Sequence, residues 1–468
     1  MKVPGKTDTL FNALRKSAKP KPVTAIENLI QAGTDRELCR INALAFAAQH
    51  KLNEEDVIGA FLHAARLGIF DMSWNILCPA CGGVLDSGAT LKTVKHAEYR
   101  CVLCALAHEL TLDEIVEVTF TISPRVRRIV AHDPDTLSWI EYYRQLFWSS
   151  VIDLPDDETF AKWIEETTLG TLELAAGEKV VLSLQLPEGS VDVFDPVVNM
   201  SLFMEIKGEP VRKRQSLSFI MTKDHAPAET VQMCPGPLQL TLENRSNVRT
   251  LPGIWVVSDK VHNFVGKRRP FLTAKRLLTN QTFQDIHRTD ALDVDQRLKI
   301  TSLSFLFTDL KGSTELYERV GDLVAYDLVR AHFRILNQIV AAEGGAVVKT
   351  IGDAVMATFA TPDRAMAAAL KMREALKDLK GDLLLKIGIH EGPCLAVSLN
   401  DRQDYFGRTV NIAARVQGLA TSRSIFATKR VVTDSEASKL LRSNGISATP
   451  EKRSLRGIAK QVEIFEIP

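Results

Sequence analysis

The stretch Phe307-Thr308-Asp309-Leu310-Lys311-Gly312-Ser313-Thr314 decides how the C-terminal part of this chain folds. Leu303 to Phe307 alternates into an apolar β pattern that stops at Thr308-Asp309, so Asp309 projects from the end of a buried strand. Lys311 to Thr314 then form a short loop whose backbone amides open a long helix running to Ala342, and unpaired amides at a helix start attract phosphate. Gly344-Gly345 breaks that helix. Ala346 to Lys349 and Ala354 to Phe359 read as two strands joined by a tight turn at Ile351-Gly352-Asp353, which places Asp353 at a hairpin tip.

Two further stretches answer this one: Lys349-Thr350-Ile351-Gly352-Asp353, and Asp404-Tyr405-Phe406-Gly407-Arg408-Thr409-Val410-Asn411-Ile412-Ala413-Ala414-Arg415. Asn411 and Arg415 lie four apart in a helical segment, so they share one face. Taken singly, two aspartates in different elements are ordinarily solvated or capping residues, Arg415 a surface ion-pair partner and Asn411 a helix cap. The order and spacing of all three motifs change that reading. Over residues 298–468 they resemble the class III nucleotidyl cyclases, the adenylate and guanylate cyclases.

The resemblance implies a ferredoxin-like fold, βαββαβ with additions, and a catalytic unit that is a homodimer. By motif, Asp309 and Asp353 would hold two divalent ions, Mg²⁺ or Mn²⁺, with the Leu310 carbonyl. Lys349 and Asp404 would recognise adenine, Asn411 would orient the ribose, and Arg415 would stabilise charge on the phosphates. Guanine-specific members show glutamate and cysteine at the two base positions, so this pair favours ATP. The loop Lys311, Gly312, Ser313 and Thr314 would contribute to triphosphate binding. Some relatives grip the terminal phosphates with a lysine near the C-terminal strand; here that stretch is Arg456-Gly457-Ile458-Ala459-Lys460, and Arg456 or Lys460 would serve. The expected reaction is attack of the ribose 3′ oxygen on the α-phosphorus of ATP, giving 3′,5′-cyclic AMP and pyrophosphate. A catalytically silent module that binds nucleotide or only dimerises is the alternative.

Length and composition bound the remainder. A chain of 468 residues, 45% hydrophobic, is globular and long enough for several packed domains, the strand and helix patterns read along it together with the resemblance make the expected class multidomain α+β, and 58 basic against 57 acidic side chains give no global pull toward nucleic acid or anionic membrane. No segment approaches a membrane span, and the basic arm Lys2 through Lys21 lacks the apolar core of a signal peptide, so the expected location is the cytoplasm.

Cys78-Pro79-Ala80-Cys81 and Cys101-Val102-Leu103-Cys104 form a pair of CxxC motifs, a spacing that resembles a zinc ribbon and suits structural Zn²⁺ held by four thiolates. His96 reads as an exposed loop residue, and Cys39, Cys234 and Cys394 as small buried hydrophobes. Upstream, Asp35 to His50 and Asn53 to Leu67 read as two helices of helix-turn-helix type. Glu54-Glu55-Asp56 at the start of the second helix oppose DNA phosphates, which argues against DNA binding. From Val116 onward short alternating segments predict a mostly β region, with a helical insert around Leu137 to Leu169 whose aromatics read as core. Arg212-Lys213-Arg214 and Lys267-Arg268-Arg269 read as exposed charge able to meet an anion.

The resulting division is residues 1–75 helical, 76–115 zinc ribbon, 116–270 mostly β, 271–297 a connector helix read over Leu277 to Ile286, and 298–468 catalytic. The N-terminal half is similar to regulatory regions joined to some soluble bacterial cyclases, which implies a regulatory ligand or protein as a further partner.

Overall fold

The computed structural model describes residues 6–94, 98–101, 103–104, 107–222, 229–257, 268–287, 296–311, 318–376, 384–399, 402–420, 424–458 and 461–468. They group into two compact units, one drawn from residues 1–89, 96–110 and 117–271, the other from 90–95, 111–116 and 272–468.

The first unit opens with helices Lys6–Ser17, Pro20–Ala32, Ala43–His50 and Glu54–Arg66. The helix expected from Asp35 starts only at Ala43. Ile41 exchanges backbone hydrogen bonds with Phe120 at 2.8 and 3.2 Å, and the Asn42 side chain accepts from the Leu44 and Ala45 amides, so strand pairing and a cap hold the preceding residues out of the helix. Asn53 caps the next helix through the Asp56 amide.

Five short strands follow: β1 (Phe70–Leu77), β2 (Val84–Gly88), β3 (Glu98–Arg100), β4 (Ala107–Glu109) and β5 (Val116–Ile122), with β2-β1-β5 forming one sheet and β3-β4 a hairpin. The expected helical insert is broken into Trp139–Tyr142, a π-helical turn Tyr143–Phe147 and a helix Asp157–Thr167. Trp139, Tyr143, Phe147 and Trp148 are buried, with Trp139 stacked on Tyr143 at 3.8 Å.

Eight more strands complete the unit: β6 (Thr168–Thr171), β7 (Lys179–Leu186), β8 (Gly189–Asp195), β9 (Met200–Ile206), β10 (Gln215–Met221), β11 (Glu229–Met233), β12 (Gly236–Asn244) and β13 (Gly253–Val256). They make two sheets, β11-β9-β8-β13-β6 and β10-β12-β7. Val191, Val193 and Leu202 of the first share one apolar core with Phe219, Leu238 and Leu240 of the second.

The second unit is α+β. Its strands are β14 (Leu298–Lys311), β15 (Gly345–Ile351), β16 (Ala354–Phe359), β17 (Leu384–Leu399), β18 (Arg402–Phe406), β19 (Ile425–Thr428), β20 (Thr449–Arg453) and β21 (Val462–Ile467). They form one sheet in the order β15-β16-β14-β17-β19-β21-β20, with β18 paired to β17. Helices Asp322–Ala342 and Pro362–Ala375 bury Leu336, Val340, Met366 and Met372 against Leu306, Ile387 and Ile425. Helix Arg408–Gly418 covers the other face, where Ile412 and Val416 meet Phe426 and Ile464; alternation along β19 sends Ile425 to one side and Phe426 to the other. This helix sits so close to β17 that a Cβ at Gly388 would lie 2.2 Å from the Gln417 amide nitrogen, so only glycine fits there.

Ahead of the sheet, the connector helix expected over Leu277 to Ile286 is two short helices, Ala274–Leu278 and Gln281–Ile286, because Asn280 leaves the helix to cap the Phe283 amide. The register of β14 against β17 slips between Ile300 and Leu303, leaving Thr301 and Ser302 outside the ladder. Asp113, its side chain 5% exposed, fills that bulge by accepting from the Thr301 and Ser302 amides at 3.2 Å and from the Thr301 hydroxyl. Leu112 donates to the Lys299 carbonyl at 3.0 Å and accepts from the Lys275 amide at 2.9 Å. Among the described residues no helix is long and apolar enough to cross a membrane.

Candidate active site

β14 runs between β16 and β17 and carries Asp309 near its C-terminal end, as its apolar alternation predicts. The strand continues to Lys311, which pairs opposite Leu384, so Lys311 belongs to the sheet and not to a loop. The long helix is opened by Gly321, at φ 79°, and Asp322, with a helical turn at 318–320 before them. Gly312, Ser313 and Thr314 lie outside the described residues, as do His96 and Lys460.

Ile351 pairs with Ala354, which leaves Gly352-Asp353 as a two-residue turn, with Gly352 at φ 63°. Thr308 pairs with Val355, so the register brings this turn beside the Asp309-Leu310 end of β14. Asp309 stands across from Lys386 on β17, with Nζ 3.6 Å from Oδ2. The other acid is held differently. Asp353 Oδ2 is buried and has no hydrogen-bond partner, and neither does His332 Nε2. Burial pushes His332 down to about 4, against the opposing pull of the Asp353 charge. A buried carboxylate oxygen with no protein donor, beside a second carboxylate and a strand-end carbonyl at Leu310, fits the oxygen donor set that hard divalent cations take.

Lys349 and Asp404 come together. Lys349 precedes the hairpin turn on β15, Asp404 lies on β18, and Lys349 Nζ is 2.5 Å from Asp404 Oδ2. Asp404 is 9% exposed and its Oδ1 accepts from the Tyr405 amide, which fixes its orientation. Tyr405 itself is buried among Phe305 and Gln403.

Asn411 is exposed and Arg415 half-buried on helix Arg408–Gly418, whose other side buries Thr409, Ile412, Ala413 and Val416. A Cβ on Gly457 would lie 3.4 Å from Arg415 Nη1, so the guanidinium rests against the backbone of the Arg456-Gly457 turn. Arg456 is exposed. The fold therefore gathers three pairs: the two aspartates, the lysine with its aspartate, and Arg415 with the Arg456 turn.

Sequence reasoning missed Lys386 and His332. Lys386 is visible only once the register Asp309↔Lys386 is known. His332 had a signal: it falls on the buried stripe Ala325, Val329, Leu336, Val340 of its helix.

The cysteines of the first unit form a second candidate site. Cys78, Cys81, Cys101 and Cys104 keep their sulfurs within 4.8 Å of one another, and the Gly83 and Cys104 amides donate to the Cys81 and Cys101 sulfurs at 3.4 Å. Arg268, one of the basic residues read as exposed charge, is exposed and also donates to the Pro79 and Ala80 carbonyls of the first CxxC turn. All seven cysteines are unpaired thiols.

Residues 5–285 match a family of unknown function, DUF5939, and residues 296–463 match the adenylate and guanylate cyclase catalytic domain. An adenylate cyclase of Anabaena cylindrica is 27% identical over 180 residues, covering 35% of this chain and 34% of that protein. Adenylate cyclase 2 of Rhizobium meliloti is 33% identical over 132 residues, covering 25% of this chain and 36% of its own length. The chain thus spans about a third of these two relatives, and 7% of an adenylate cyclase of Mycosarcoma maydis to which it is 31% identical. Among solved structures, the adenylyl cyclase CyaB from P. aeruginosa is 21% identical, with a TM-score of 0.33 over 37% of this chain and 96% of that one.

Proposed function

Since this chain belongs to the family of unknown function DUF5939 and carries an adenylate and guanylate cyclase catalytic domain over residues 296–463, we propose that it is an adenylate cyclase. It converts ATP to 3′,5′-cyclic AMP and pyrophosphate at composite sites of a homodimer, in the cytoplasm, under control of its N-terminal half.

The observation that carries this reading is the Lys349–Asp404 pair at 2.5 Å. A cationic donor and a carboxylate acceptor held together match the ring nitrogen and exocyclic amine of adenine, and buried hydrogen-bond recognition discriminates strongly against a base that reverses donor and acceptor. Asp309, Asp353 and the Leu310 carbonyl would hold two Mg²⁺ or Mn²⁺ ions, which would supply neutralisation of the charge on the entering 3′ oxygen and the departing pyrophosphate. Asn411 positions the ribose so that its 3′ oxygen lines up with the α-phosphorus, and Arg415 donates to the phosphate oxygens as charge moves onto them. Arg456 lies beside Arg415 and reaches the terminal phosphates.

Dimerisation is supported by apolar side chains left in solvent on the second unit: Leu323 at 77%, Phe406 at 67%, Tyr326 at 59% and Ile351 at 54% exposure. The four clustered thiols support a closed structural Zn²⁺ site.

The test is product analysis of the purified full chain with ATP or GTP and Mg²⁺ or Mn²⁺, beside an Asp309→Ala control. Cyclic AMP and pyrophosphate, absent from the control, are expected. Absence of product with either nucleotide would replace the enzyme with a silent nucleotide-binding module.

A further inference from the structure

The first unit contains a cleft of about 300 Å³ between the helices at residues 20–50 and the segment that follows the π-helical turn. We infer that this cleft binds a small organic oxyanion that also carries a hydrogen-bond donor, a hydroxyl or an amino group close to its charge.

Two polar atoms with no partner point to both halves of that description. Arg144 and Gln145, adjacent in the π-helical turn Tyr143–Phe147, line the cleft. The Arg144 side chain is 10% exposed and Gln145 is 8% exposed, yet Arg144 Nη1 and Gln145 Oε1 are buried without any hydrogen bond. The remaining polar atoms of both residues are engaged. Arg144 Nη2 donates to the Pro155 carbonyl at 2.6 Å, its Nε lies 3.5 Å from Asp157, and the guanidinium covers the Phe160 ring at 4.8 Å. Gln145 Nε2 donates to Glu141 at 2.7 Å, which fixes the amide and identifies its free atom as the acceptor oxygen.

A buried donor left unmade costs free energy, more so when it is charged, and an acceptor beside it adds to that cost. A π-helical turn is itself uncommon and is found mostly where a helix is bent to present side chains to a ligand. Here it sets a cationic donor and a neutral acceptor on successive residues. A guanidinium Nη calls for a carboxylate or phosphate oxygen, and an amide oxygen calls for an O–H or N–H.

The rest of the wall agrees. Arg36, Arg40 and Arg269 also line the cleft against a single acid, Glu37, so its charge is positive even though Arg36 already pairs with Glu141 and Asp157, and Arg269 with Asp153. Leu29, Ile41, Phe46 and Ile152 supply apolar surface for a carbon skeleton. The volume is at the low end for sites that enclose small molecules, which suits a metabolite and not a peptide. This inference does not depend on the cyclase reading, because its test reads binding alone.

The full chain is titrated calorimetrically with four probes: malate, serine, glycerol 3-phosphate and succinate. Malate and serine carry a carboxylate with a neighbouring donor, glycerol 3-phosphate a phosphate with one, and succinate a carboxylate with none. Saturable one-to-one binding of at least one donor-bearing probe is expected, with a Kd below about 1 mM and at least about tenfold tighter than succinate. Which of the three binds decides between carboxylate and phosphate. Arg144→Met and Gln145→Leu should each weaken that binding at least about tenfold. Because Arg144 also holds the Pro155 carbonyl, Ala45→Phe is the second variant: it fills the cleft from the opposite wall, breaks no side-chain hydrogen bond, and should abolish binding with an unchanged circular dichroism spectrum. Absence of saturable binding by all three donor-bearing probes, or binding that Ala45→Phe leaves intact, overturns the proposal.

Discussion

Four thiols gather within 4.8 Å of one another at Cys78, Cys81, Cys101 and Cys104, whereas Asp309 and Asp353 sit on a strand end and a neighbouring turn with one carboxylate beside Lys386 and an oxygen of the other unpartnered. Four thiolates fill a tetrahedral shell, so an ion held by all four would keep no coordination position for a substrate, and amide donors to two of the sulfurs together with Arg268 on the carbonyls of the first turn hold the cluster in place. On the proposed reading the two aspartates would supply only part of a coordination shell and leave the rest to water and phosphate oxygens. The difference teaches where each site should act: the first on folding, the second on chemistry.

That division can be broken most directly at the aspartates. Asp353→Ala and Asp309→Ala should each lower cyclic nucleotide formation by about 1,000-fold, about 4 kcal/mol of transition-state stabilisation, while the melting temperature stays nearly constant. A variant that lost activity only in proportion to lost folded protein would show the carboxylates to be structural instead. At the cysteines the expectation reverses. Cys101→Ser should eliminate bound zinc measured by atomic absorption and destabilise the first unit by about 3 kcal/mol or more. Zinc retained at one ion per chain would mean that three thiolates suffice and that the site is not closed.

The base pair gives a middle-sized effect. Exchanging Lys349→Glu together with Asp404→Cys should change the ATP-to-GTP ratio of kcat/KM by about 10- to 100-fold, toward GTP, with no change in zinc content. A ratio that stays put would remove those two residues from base recognition.

The smallest effect concerns pH, and it separates the two units by sign. In the first, burial raises Asp192 to about 7 and Asp195 to about 6, so the folded state binds protons there that the unfolded state has released; stability from these groups is present at low pH and is lost as pH rises toward 7. In the second, burial lowers His332 and His390 to about 4, so the unfolded state binds more protons between about 4 and 6.5, and stability is lost as pH falls through that window. Between pH 7 and 6 the first unit should gain about 1 kcal/mol and the second lose about 1 kcal/mol. Calorimetry that shows both transitions moving in the same direction over that interval would contradict the assignment.

Much of the catalytic unit could be read from the chain because its motif residues mark local events: Asp309 where an apolar alternation ends, Asp353 in a two-residue turn, Asn411 and Arg415 one helical turn apart. The residues that escaped depend on pairing between distant segments. Lys386 reaches Asp309 only through the β14–β17 register, and Asp113 reaches Thr301 across 188 positions. The late start of the helix at Ala43 has the same origin, since Ile41 is claimed by Phe120. Local propensity carries no trace of such partners.

Asp113 also bears on the order in which the protein is made. The carboxylate that completes the β14 bulge leaves the ribosome 188 residues before the amides it serves, an interval of roughly 10–40 s at ordinary rates of synthesis. During that time the segment around Leu112 and Asp113 exists without the strand it will clasp, and β14 emerges into a nascent chain that already contains its acceptor. A chain begun at Leu298 would lack that carboxylate, and the Thr301 and Ser302 amides would have to turn to water in its place.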